Sequence, residues 1–84
     1  MGLLAKPFGY AIRKRRKELS LSQETLSEIS GVHWVYISHI ENGLKSPTLR
    51  TIEALASALQ MEVSELMRTA ERIRLEEPDL EDNA

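Results

Sequence analysis

Apolar residues recur every three or four positions along most of the chain, and no stretch alternates apolar and polar residues long enough for a strand. This spacing predicts five helices, with Pro7, Pro47 and Pro78 each at a boundary. The first spans about residues 7–19, with Phe8, Ile12 and Leu19 inward. Pro7 fits its first turn, where a missing N–H costs no helical bond. The second spans 22–30: Ser22 is suited to cap it, Leu26 and Ile29 point to the core, and Gly31 ends it. The third spans 33–42, buries Ile37 and Ile40, and stops at Gly43. The fourth spans 48–59, capped by Thr48, with Leu49, Ile52, Leu55, Ala56 and Leu59 at core spacing. The fifth begins near Val63 and stops by Glu77, before Pro78.

Composition and charge refine this picture. Eighty-four residues make one small domain with a single core. The expected division is a helical domain over 1–75 and an acidic, disordered tail over 76–84. The chain has no cysteine, which removes disulfides and thiolate metal sites and suits a reducing cytoplasm. No apolar run approaches the ~20 residues of a membrane span, and Met1–Pro7 is too short for a signal peptide. The net charge of −2 divides unevenly. Residues 1–75 hold eleven Lys and Arg against eight acids, and residues 76–84 hold five acids and no base. A mildly basic body is compatible with a polyanionic partner, because phosphate contact depends on local charge.

Two short helices joined at Gly31-Val32, the second ending at Asn42-Gly43, have the form of a helix-turn-helix, whose second helix enters the DNA major groove. Further residues extend the pattern: Ile12 and Arg16, then Leu21-Ser22-Gln23-Glu24-Thr25-Leu26, then Tyr36-Ile37-Ser38 and Ile40-Glu41-Asn42-Gly43. Ser46-Pro47-Thr48-Leu49, Ala56 and Leu59 complete it. In this series the chain, over roughly residues 8–66, resembles the phage-repressor-like (Cro/repressor, xenobiotic-response-element) helix-turn-helix family. The resemblance implies an all-α, compact five-helix, lambda-repressor-like DNA-binding domain with helix 3 in the major groove. It places His33, Trp34, Val35, Tyr36, Ser38 and His39 toward the bases. Ser22, Gln23, Arg13, Asn42 and Lys45 are the expected phosphate contacts, and Arg16 with Glu41 is a structural ion pair.

Several positions depart from the family's habit. Trp34 and Val35 lack the paired hydrogen bonds that separate guanine from adenine, so contact with a thymine methyl suits them better. His33 stands where Ser or Thr usually caps helix 3, which predicts a weaker cap. Ser27 replaces a small Ala, and Gln60 replaces the Gly or Asn that usually follows helix 4. Trp34 lies off the Ile37–Ile40 face and is expected to be exposed as part of a contact surface. The basic run 13–17 reads either as a solvated helix face or as a source of phosphate contacts from Arg13, Lys14 and Lys17. His33 and His39 are six residues apart, a spacing that does not converge on one metal ion, and no cofactor is expected.

Leu66, Met67, Ala70 and Ile73 form an apolar stripe on helix 5. It reads either as ordinary packing or, if the core closes by about residue 66, as a dimer seam. The function expected is a homodimeric, sequence-specific transcriptional regulator, cytoplasmic and bound to double-stranded DNA at an inverted repeat. The small size resembles that of restriction–modification controllers and compact phage repressors. The alternative is an antitoxin-like adaptor whose acidic tail or Trp34 face binds a partner protein. Catalysis is not expected, because Ser, His and Glu are scattered over helix faces with no loop to enclose them.

Overall fold

The computed structural model describes residues 3–77 and contains five helices: α1 Ala5–Glu18, α2 Gln23–Ser30, α3 Trp34–Glu41, α4 Leu49–Ala58 and α5 Val63–Glu76. The tail expectation falls on residues that lie almost wholly outside that range. The predicted elements are all present, and α1 starts two residues earlier than expected, with Pro7 still in its first turn. α1 packs along α5 and against α3, while α2 packs on α3 and α4. One core results, built from Phe8, Ala11, Ile12, Leu26, Val32, Ile37, Ile40, Leu55, Ala56, Leu59, Leu66, Ala70 and their neighbours.

Helices of eight residues do not persist alone in water, so tertiary contacts and end caps must hold them. Ser22 Oγ accepts the Thr25 N–H at 2.9 Å and starts α2. Thr48 Oγ1 accepts the Thr51 N–H at 3.2 Å and starts α4, and the Glu65 carboxylate accepts the Glu62 N–H at 3.0 Å beside the start of α5. Three helices end in the same two-bond closure. Leu21 N–H donates to Arg16 O and Ser20 N–H to Lys17 O at the end of α1. Leu44 with Gly43 repeats this on α3, and Met61 with Gln60 on α4. The closing residue is left-handed each time: Ser20 at φ 58°, Gly43 at 72° and Gln60 at 59°. Gln60 therefore adopts the backbone that Gly or Asn would take, at a cost that its side chain does not relieve.

The junction of α1, α2 and α3 is polar at its centre. Arg16 grips Glu41 with both ends of its guanidinium, Nε to Oε2 at 2.7 Å and Nη2 to Oε1 at 3.0 Å. Its Nη1 donates to Leu21 O at 2.9 Å, in the linker to α2. Gln23 Nε2, at the first residue of α2, donates to the same Glu41 Oε1 at 3.1 Å. The Glu41 side chain is 3% exposed and that of Arg16 11%, so little water shares the pair. The Arg16 pKa is raised above its ordinary value by the hydrogen bond and charge of Glu41, against the opposing effect of burial. Beside this network Gly9 brings α1 against the end of α3, where a Cβ would collide with the Ile40 carbonyl oxygen.

Four sequence expectations change. Ile29 is 56% exposed, because the covered face of α2 runs through Gln23, Leu26, Ser27 and Ser30, and Val32 in the turn supplies the apolar contact instead. Leu49 is 69% exposed, since at the first residue of α4 it projects past the packed part of that helix. Arg15 does not belong to a solvated face: its Nε donates to the Leu59 carbonyl at 3.0 Å, tying α1 to the end of α4. Leu66, Ala70 and Ile73 are buried in the chain's own core, so packing of α5 on α1 consumes the stripe read as a dimer seam. Of that set only Met67 keeps partial exposure.

Two outcomes test this account. Glu41→Ala strands the Arg16 charge and is expected to cost about 3–5 kcal/mol in urea unfolding; a loss under 1 kcal/mol would show the junction to be dispensable. Gln60→Gly relieves a left-handed side-chain position and is expected to raise stability by about 0.5–1 kcal/mol, seen as a higher melting temperature.

Candidate nucleic-acid interface

The two buried residues of α3, Ile37 and Ile40, define its inner side. At 100° per residue, the side directly opposite carries Val35, Ser38, His39 and Asn42, the i, i+3, i+4, i+7 row of one helix face. Trp34 and Tyr36 stand on the two flanks. Val35 and Asn42 are exposed, Ser38 and His39 are half-buried, and Trp34 is 51% exposed, as its place in the pattern implies. Tyr36 differs: it is half-buried and packs against the core. Asn42 closes α3, its Nδ2 donating to Ser38 O at 2.9 Å, which leaves the side-chain carbonyl oxygen outward.

α2 presents its N-terminus beside this face. Ser22 is occupied as cap, and the first amides of the helix have no carbonyl before them to bond. Arg16, Ser22, Gln23, Glu24 and Trp34 line one open cleft of about 460 Å³, which brings the start of α2 and the flank of α3 to a common surface. Gln23 spends one amide N–H on Glu41 and retains the other. An anion here would meet helix-end N–H groups together with the positive end of the α2 dipole. Lys45 and Arg13 are exposed, Lys45 just beyond α3 and Arg13 on α1. Lys14 and Lys17 are exposed on α1 with Arg13 and Tyr10.

The start of α3 shows what stands in for the usual cap. His33 does cap the helix: its Nδ1 accepts the Val35 N–H at 3.1 Å. Its ring also stacks on Trp34, with centroids 6.1 Å apart and planes inclined by 22°. The sequence pattern marked His33 as a departure from a Ser or Thr cap, and nothing in the spacing distinguishes an imidazole acceptor from no cap at all. Arg15 and Val32, both structural, were also not legible as such. Among the described residues no three His, Asp or Glu side chains gather to hold a metal ion, and no helix is long and apolar enough to cross a membrane.

The control protein C.SmaI of Serratia marcescens is 43% identical over 56 residues, 67% of this chain and 67% of that protein. The ImmF control region 10 kDa protein of Bacillus phage phi105 is 31% identical over 64 residues, 76% of this chain and 71% of that protein. The crystal structure of the restriction–modification controller C.AhdI of Aeromonas hydrophila covers 75% of this chain and 94% of its own, with TM-score 0.70 and 41% identity. A further controller, C.Esp1396I, crystallised as a tetramer with its natural 35 base-pair operator, shares the fold at TM-score 0.81 and 24% identity, over 89% of this chain and 99% of that one. The helix-turn-helix family model matches residues 12–66, which hold the turn, α3 and the polar junction, and the chain belongs to that family of DNA-binding transcription regulators.

Proposed function

We propose that the chain is a sequence-specific regulator that binds an inverted-repeat operator as a homodimer, each α3 in a major groove. The observation that carries this reading is the face of α3. On its outer side Val35 and Asn42 are exposed and Ser38 and His39 half-buried, while Ile37 and Ile40 fix the opposite side in the core. Val35 and Trp34 offer apolar contact for a thymine methyl, and Ser38, His39 and the Asn42 side-chain oxygen supply hydrogen bonds. Ser22, Gln23, Arg13 and Lys45 approach phosphates and set the register without reading sequence.

Dimensions favour a pair. One chain measures 32 × 23 × 22 Å, a size comparable with the ~34 Å of one duplex turn that separates two half-sites. The pairing surface proposed differs from the α5 stripe. Leu44 and Leu49 are 62% and 69% exposed on either side of the α3–α4 loop. That loop opens onto an apolar groove formed by Leu4, Phe8, Pro47, Ile52 and Met67. A two-fold contact through this region joins the chains beside the reading helices. Control of a restriction–modification system is the biological setting proposed, on the likeness to C.SmaI and C.AhdI, and the cytoplasm is the corresponding compartment.

Selection of binding sites from random duplex DNA is expected to enrich an inverted repeat. His39→Ala is expected to change the preferred base at one position per half-site, worth about 1–3 kcal/mol of discrimination. Equal weakening on every operator variant would remove His39 from base readout. Leu49→Glu is expected to yield a folded monomer in sedimentation equilibrium, with operator affinity lowered at least tenfold. A dimer of undiminished stability would place the seam elsewhere.

A further inference from the structure

The imidazole of His33 is restrained twice. Its Nδ1 accepts the Val35 N–H at 3.1 Å, and a backbone amide can only donate, so Nδ1 carries a lone pair and the neutral ring carries its proton on Nε2. The offset stack on Trp34, at 6.1 Å and 22°, further restricts the ring. His33 is exposed, and Nε2 has no hydrogen-bond partner among the described residues. Capping and stacking thus leave an amphoteric side chain with one free donor, Nε2–H, on an exposed residue. It sits at the N-terminal end of the reading helix, the end whose residues reach base edges in the helix-turn-helix mode.

We propose that His33 reads the operator as a donor only, its Nε2–H bonding to the N7 edge of a purine in the major groove. The inference rests on the DNA-binding reading above and specifies the chemistry of one of its contacts. Cytosine presents a donor on that edge and would face the Nε2–H donor to donor. Thymine has an acceptor, O4, but carries its C5-methyl group at the outer position where a purine has N7, so a donor held at that position selects a purine. A single donor to N7 does not separate guanine from adenine. The expected signature is therefore one purine-selective, otherwise degenerate position in each half-site. A Ser or Thr at this position would keep the cap but would not reach outward with a rigid ring, which separates the two roles experimentally.

The test compares the wild-type chain with His33→Ser, in which the hydroxyl takes over the cap. Thermal unfolding confirms that both are folded. Sites are selected from random duplexes, and affinities are then measured on the wild-type operator carrying 7-deazapurine or a methylphosphonate at single positions. Wild-type protein is expected to require a purine at one position per half-site and to bind about tenfold more weakly when that purine lacks N7. His33→Ser is expected to lose the purine requirement and to be indifferent to the 7-deaza change. Identical base preferences and identical 7-deaza sensitivity in the two proteins would overturn the proposal. So would a His33-dependent loss that follows a methylphosphonate, since the acceptor would then be a phosphate. Failure of the wild-type chain to enrich any duplex sequence would overturn the DNA-binding reading itself, and this inference with it.

Discussion

The buried pair of Arg16 and Glu41 fixes the relation among three helices, and the shape of the interface depends on that relation. Glu41 is the last residue of α3, Arg16 lies near the end of α1, and Gln23 opens α2; all three meet at one carboxylate. A buried ion pair adds little net stability over an apolar substitute, because both charges lose their hydration. Its value here is geometric, since each carboxylate oxygen has a directed donor. Gly9 works toward the same end by letting the α1 backbone meet the final carbonyls of α3. With Gly31 at the turn and Glu41 at the far end, α2 and α3 are tied at both extremities.

The short helices are equally constrained at their ends. α2 and α3 each have eight residues, little more than two turns, so an uncapped terminus would leave much of the helix frayed. Ser22, His33 and Thr48 each satisfy an early amide, and the ends of α1, α3 and α4 close through left-handed residues. Order present before binding reduces the conformational entropy that association must remove. A preset helix angle and capped ends leave mainly side-chain rotamers to settle on the operator. At His33 even that freedom is reduced, because one ring both caps the helix and stacks on Trp34.

The elements were legible in the sequence because local chemistry marks their ends: Ser22, Gly31, Gly43 and Thr48 each do by side chain or by φ what their residue types suggest. Which face of each helix is covered was less legible. Periodicity says that Leu26 and Ile29 lie near one another on α2, yet it does not say which neighbour arrives, and the neighbours cover Ser27 and Ser30 instead. The α5 stripe stays open between packing and pairing in the sequence for a related reason. How far a terminal helix is needed depends on the length of the helix it covers, and α1 extends back to Ala5. Arg15 and Arg16 are adjacent in a basic run, and both are bound to distant acceptors that a run of five cations does not reveal. The outer row of α3 was legible in composition and only partly in orientation, with Tyr36 turned back toward the core.

The outer row of α3 holds no Lys or Arg, which divides the work of recognition between two regions of the proposed interface. Exposed cations lie elsewhere, Arg13 and Lys17 on α1 and Lys45 just beyond α3, and the amide end of α2 opens beside Trp34. Attraction to the duplex belongs to these groups and is insensitive to sequence. In the proposed reading discrimination falls to an indole, an isopropyl group, a hydroxyl, two imidazoles and an amide, each giving at most one or two directed contacts. Such a surface has no long flexible cation with which to satisfy a wrong base by an alternative hydrogen bond. A mismatch therefore leaves a donor or acceptor without a partner at a rigid position, and unpaired polar groups are costlier than paired ones are favourable. Specificity in this arrangement arises from the penalty on wrong sequences, which requires the rigidity that the Arg16–Glu41 junction supplies.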